Sequence, residues 1–118
     1  MEVPSHVLPL TTASFDVALA SDKLLLVDFG APWCSSCRAV APVVEALAAE
    51  YEGRAVIATL DVDEHPEVAA RYGVRSLPTF IFFDGGQVAD GVIGAVPRAS
   101  LAGRLDARLR LREVAGAS

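Results

Sequence analysis

The stretch Leu24 to Phe29, LLLVDF, constrains the fold of this chain more than any other segment. It is an apolar run of strand length interrupted by one charge, and such runs suit a central strand covered on both faces, as in sheets with parallel neighbours. A helical pattern comes directly after it. Val40, Val43, Val44, Leu47, Ala48 and Tyr51 stand at i, i+3, i+4, i+7, i+8 and i+11, which is one stripe along a helix. Pro42 lies inside that stripe and should kink the helix, and Gly53 can end it.

The same reading extends in both directions. After a short lead from His6 to Leu10, Thr12 or Ser14 can cap a brief helix over about Phe15 to Ala20. Ala55 to Val62 (AVIATLDV) is a second strand, and EVAARYG after Pro66 is a further short helix ending at Gly73. Thr79 to Phe83 (TFIFF) is β-branched and aromatic, hence a strand. Asp84-Gly85-Gly86 is a turn, and Gln87 to Ile93 returns as the second arm of a hairpin. The last helix begins near Pro97, with Leu101, Leu105 and Leu109 on one face. Strands alternating with helices, then a hairpin and a helix, predict an α/β chain whose mixed sheet carries helices on both sides. Without repeat, linker or low-complexity tract, residues 1–118 read as one domain.

Composition narrows the function. At 53% hydrophobic and 21% charged, with mean hydropathy +0.41, the chain has ample material for a core. Nothing approaches the run of about 18 apolar residues that a membrane helix needs. The net charge of −5 argues against a general nucleic-acid binder. That charge is uneven: residues 1–97 carry 5 basic and 13 acidic groups, while 98–118 carry 5 arginines against Asp106 and Glu113. The basic tail reads as the solvated face of the last helix. The opening MEVPSHVLPLTTASF lacks a basic flank followed by an apolar stretch, so a cytoplasmic protein is expected.

The two cysteines, Cys34 and Cys37, lie three positions apart in Trp33-Cys34-Ser35-Ser36-Cys37, where strand gives way to helix. A bridge between them closes too small a loop to staple a fold, so the pair is explained by its chemistry. Cys34 falls at a helix N-terminus, where free N–H groups and the dipole favour a thiolate, making it the attacking sulfur. Cys37, one turn further in, is expected to be more buried and to stay a thiol until it resolves a mixed disulfide. A metal site is the competing reading, but zinc usually takes four ligands and only His6 and His65 are available besides. No metal and no bound cofactor are expected.

VDFGAPWCSSC, the Pro42 helix, SLPTF and the Ile93-Gly94-Ala95 segment together resemble the thioredoxin family, over about Leu10 to Glu113. The resemblance implies the thioredoxin fold, a central mixed β-sheet flanked by four helices. It also implies site roles. Asp28 would be the buried carboxylate beneath the cysteines, its pKa raised by burial so that it moves protons to and from Cys37. Pro78 would be a cis-proline facing the disulfide, leaving the Leu77 backbone free to pair with an extended substrate segment. Trp33, Gly73, Val74, Gly94 and Ala95 would rim an apolar docking surface. The implied activity is reduction of protein disulfides by dithiol exchange. Disulfide-containing client proteins and an NADPH-dependent thioredoxin reductase would be the partners of a monomeric protein.

Three positions depart from the family pattern. Ser35-Ser36 replaces the usual Gly-Pro, which restores an N–H at Ser36 and places two hydroxyls near Cys34; both favour the reduced form and a less reducing potential. Gly30 stands where a second tryptophan is usual, thinning the packing around the active-site loop. Thr59 stands where many members hold a lysine paired with the buried aspartate, so Asp28 is less compensated. A disulfide oxidant or isomerase, a thioredoxin-fold binding module, and a metal- or cluster-binding dimer are the alternatives.

Overall fold

The computed structural model describes residues 5–116, so the first four residues of the opening segment lie outside it. Nine elements follow in order: β1 (Leu8–Leu10), α1 (Thr12–Leu19), β2 (Leu24–Gly30), α2 (Ser35–Glu50), β3 (Ala55–Asp61), α3 (Pro66–Arg71), β4 (Thr79–Asp84), β5 (Gln87–Ile93) and α4 (Arg98–Gly116). The five strands form one sheet in the order β1-β3-β2-β4-β5. β1 and β2 run parallel to β3, whereas β4 is antiparallel to both β2 and β5. The expected mixed sheet with four helices is therefore present.

Strand alternation decides which helix goes where. Leu24 and Leu26 of β2 point to the face covered by α2 and α4, where they meet Val44, Leu47, Phe80, Phe82, Leu101 and Leu105. Leu25, Val27 and Phe29 point to the other face, under α1 and α3, with Phe15 and Val68. Phe15 has no solvent exposure and forms a ring cluster with Phe29, Tyr72 and Phe83. By the same parity Asp28 and Gly30 belong to the α2 face. They carry the strand's polar end under the start of that helix.

The structure amends the sequence reading at the N-terminal end. The lead contains a short edge strand, β1, which adds to β3 and buries Leu10. Helix α1 starts earlier than expected, and its cap is Thr11 rather than Thr12 or Ser14. Thr11 Oγ1 accepts from Ser14 N–H while Ser14 Oγ accepts from Thr11 N–H, a reciprocal capping box. Helix α2 continues through Pro42 for 16 residues. Three of the α4 arginines are paired back onto the chain: Arg104 to Asp90 and Arg112 to Asp84 on the β-hairpin, and Arg98 to Glu50. Leu101 and Leu105 supply the buried face of α4, with Leu109 packed against its edge.

Candidate active site

The site is built at the junction of β2 and α2. Cys34 is the N-cap residue of α2, with extended backbone, and its Sγ accepts from Cys37 N–H at 3.2 Å. Sulfur here takes the place of the usual capping oxygen, so a helix-terminal donor that would otherwise be unpaired points at it. Ser36 Oγ lies 3.3 Å from the same sulfur. The Cys34 thiol is pushed below its ordinary value, first by the bond from the Cys37 side chain, then by that from the Ser36 side chain, with the Cys37 and Ser36 backbones adding to them. Both contributions expected at Ser36, its backbone N–H and its hydroxyl, act on Cys34.

Cys37 moves in the opposite direction. Its thiol is pushed up to about 11, chiefly by desolvation, and then by the bond to Cys34 and the charges of Cys34 and Asp28. The separation of roles expected for an attacking and a resolving sulfur is therefore present in the electrostatics. Both residues are buried, Cys34 at 6% and Cys37 at 9% exposed, and desolvation weighs most on Cys37, as expected for the inner sulfur. A β-carbon at Gly30 would stand 3.2 Å from Cys37 Sγ, so residue 30 adds no side chain on that flank.

Asp28 lies beneath Cys37. Its Oδ1 is 3.8 Å from the position of that same missing β-carbon, which places it within about 7 Å of Cys37 Sγ. The residue is 7% exposed, and Oδ1 has no hydrogen-bond partner. Burial alone raises its carboxyl to about 6. Strand register explains why nothing opposes the burial. Asp28 sits beside Thr59 on β3 and beside the fully buried Phe80 on β4, so neither neighbour is a cation.

The surface around Cys34 is a groove lined by Trp33, Cys34, Ser35, Ser36, Val62, Val74, Arg75 and Leu77. Trp33 is 66% exposed, and its indole N–H donates to Asp63 Oδ2 at 2.6 Å, which fixes the ring on the loop after β3. The Leu77–Pro78 bond is cis, as expected. Gly73, Pro78, Gly94 and Ala95 do not line the groove, but Gly94 N–H donates to Pro78 O at 2.8 Å and so anchors the Gly94-Ala95 loop beside Pro78. Gly73 takes a left-handed φ of +66° at the end of α3 and turns the chain into Val74. Asp63 and Arg75 were not singled out from the sequence. Asp63 is thirty positions from Trp33, and no local pattern reveals such a contact.

The histidines stand apart from the cysteines. His65 Nδ1 accepts from Thr12 N–H, and His6 lies 3.3 Å from Glu52. Among the described residues, no group of three or more His, Cys, Asp or Glu side chains is placed to hold a metal ion.

Comparison with known proteins agrees with this geometry. The family described as Thioredoxin matches residues 6–107. Thioredoxin 2 of Chlorobaculum tepidum is 51% identical over 88 residues, which is 75% of this chain and 81% of that protein. Thioredoxin of Staphylococcus aureus is 50% identical over 103 residues, covering 87% of this chain and 98% of its own length. In three dimensions, the thioredoxin of Malassezia sympodialis superposes with a TM-score of 0.82 at 29% identity, over 92% of this chain and 96% of that one. With a thiolate-favouring Cys34, a thiol-favouring Cys37 and a thioredoxin fold around them, the chain belongs to the thioredoxin family of thiol–disulfide oxidoreductases and is a protein-disulfide reductase.

Proposed function

We propose that the chain reduces client disulfides through Cys34 as nucleophile and Cys37 as resolving group, with Asp28 as the proton acceptor for Cys37. The observation that carries this reading is the bond from Cys37 N–H to Cys34 Sγ. It stabilises a thiolate on Cys34 while Cys37 Sγ remains over a buried carboxyl. Cys34 attacks one sulfur of the client, the client's other sulfur leaves, and a mixed disulfide remains. Cys37 then loses its proton to Asp28 and attacks Cys34, expelling the reduced client.

The client lies along the groove beside Trp33, Val74 and Leu77, with Gly73, Pro78, Gly94 and Ala95 at its margin. An extended segment pairs there with the Leu77 backbone. Ser35, Ser36 and Thr59 tune the centre and do not react. Electrons are returned by an NADPH-dependent flavoprotein reductase. The protein acts as a monomeric single domain in the cytoplasm, without a bound cofactor, in the upkeep of thiol redox balance.

The test is trapping. Cys37→Ser is expected to accumulate a mixed disulfide between Cys34 and a protein substrate such as insulin, and Cys34→Ser is expected to form none. If Cys34→Ser forms the adduct and Cys37→Ser does not, the assignment of the two sulfurs is reversed.

A further inference from the structure

The two sulfurs open onto different clefts. Cys34 lines the groove with Trp33, Val74 and Leu77, which does not include Cys37. Cys37 lines a separate open cleft of about 260 Å³ with Gly30, Ala31, Pro32, Arg38, Ala41 and Thr59, which does not include Cys34. This second cleft exists because residue 30 has no side chain. The nearest atom to a β-carbon placed there is Cys37 Sγ itself, at 3.2 Å, so the sulfur forms part of the floor. Three charged groups line it: Asp28 at the base, Asp61 at the end of β3, and Arg38, whose Nη1 donates to Pro32 O at 2.6 Å. The space admits a small solute but no folded chain.

We propose that this cleft is a second entrance to the redox centre, through which a low-molecular-weight monothiol reaches Cys37 Sγ and reduces the oxidised protein without a reductase. The proposal rests on the reductase reading and adds a second electron source to it. The thiolate of the small molecule attacks Cys37 Sγ and forms a bond to it. The Cys34–Cys37 bond breaks, and its electron pair leaves on Cys34. Cys34 is the better leaving group of the two, because the Cys37 N–H and the Ser36 hydroxyl receive its charge. A second small thiol loses its proton and attacks the sulfur that the first one brought. This releases Cys37, which takes up a proton, and the product is one small disulfide. Two thiols are oxidised and one protein disulfide is reduced.

Attack from the Trp33 groove would place the small thiol on Cys34 instead, and this distinguishes the routes. Oxidised wild-type protein is mixed with 2-mercaptoethanol, quenched in acid within seconds, and the adduct located by peptide mass spectrometry. An adduct on Cys37 is expected; an adduct confined to Cys34 overturns the proposal. Ala41→Phe supplies an independent check, since Ala41 is exposed, lines this cleft and does not line the client groove. Reduction of this variant by 2-mercaptoethanol, followed by Trp33 fluorescence, is expected to slow about tenfold, because exchange rates depend on access to the attacked sulfur. Single-turnover reduction of insulin by the pre-reduced variant is expected to be unchanged. An unslowed reaction with 2-mercaptoethanol overturns the proposal, while insulin turnover by the wild-type chain separately tests the reductase reading.

Discussion

Replacing Asp28 by asparagine should make the reduced protein more stable at neutral pH. The carboxyl is held at about 6, against an ordinary value of 3.8, because burial penalises its charged form. At about 1.4 kcal/mol per pKa unit, that difference corresponds to about 3 kcal/mol. The sign follows from proton counting. Well below pH 3.8 the group is protonated in both folded and unfolded chains. Between pH 4 and 6 the unfolded chain loses the proton while the native one keeps it, so stability falls as pH rises. Above the folded value both are ionised, and the native state carries the full cost of a charge whose Oδ1 has no partner.

The assay is urea unfolding followed by far-ultraviolet circular dichroism, at intervals from pH 4 to 7, with both cysteines kept reduced. Wild type should lose about 2.4 kcal/mol across that interval from this group, and Asp28→Asn should not lose it. The variant should therefore gain on wild type as pH rises, reaching its largest advantage near pH 7. The approximate figure is an upper bound, since a buried amide without a partner has its own cost of about 1–3 kcal/mol. A constant difference between the two proteins from pH 4 to 7 would refute the reasoning, because it would mean that Asp28 is solvated in the folded state.

Two further substitutions probe the same centre from its neighbours. Thr59→Lys places a cation beside Asp28 on the adjacent strand, and opposite charges at such range lower a carboxyl by about 1–3 pKa units, so most of the pH-dependent loss should vanish. An undiminished slope in the same unfolding series would show that the new ammonium stays in solvent. Ser36→Ala removes the hydroxyl 3.3 Å from Cys34 Sγ, so the thiol pKa should rise and the disulfide should become more reducing. Below pH 7, alkylation of Cys34 by iodoacetamide should slow severalfold; an unchanged rate and potential would leave the backbone donors as the sole support of the thiolate.

Much of this architecture is legible in the sequence because its signals are long. LLLVDF is a central strand with the helical stripe beginning at Val40 after it, and the hairpin arms at Thr79 and Gln87 fall where composition places them. β1 is missed because Leu8–Leu10 is only three residues, buries one of them, and draws its order from pairing with β3. The cap of α1 is ambiguous because Thr11 and Thr12 are adjacent, and which one faces Ser14 depends on backbone angles. At the site, the cysteine pair and the parity of Asp28 are readable locally. The tie from Trp33 to Asp63 and the register of Asp28 against Thr59 are not, since each joins positions about thirty apart.

The three departures from the family pattern act on the two sulfurs separately. Ser36 touches Cys34 and adds a donor to a sulfur that already holds the Cys37 N–H, so it drives the attacking group further toward thiolate. Gly30 and Thr59 flank Asp28 on the opposite side of the helix start, and both line the cleft that reaches Cys37. There, the missing side chain leaves one flank of the resolving sulfur open, and the missing cation leaves its carboxyl high. Ser36 and Thr59 both widen the difference between a sulfur that gives up its proton readily and one that needs a base, while Gly30 opens an approach to the second. That difference fixes the order of events, because Cys37 cannot compete with Cys34 for a client but can resolve the adduct once Asp28 takes its proton. The same difference makes Cys34 the group that leaves when the disulfide is opened, whichever cleft the incoming thiol uses.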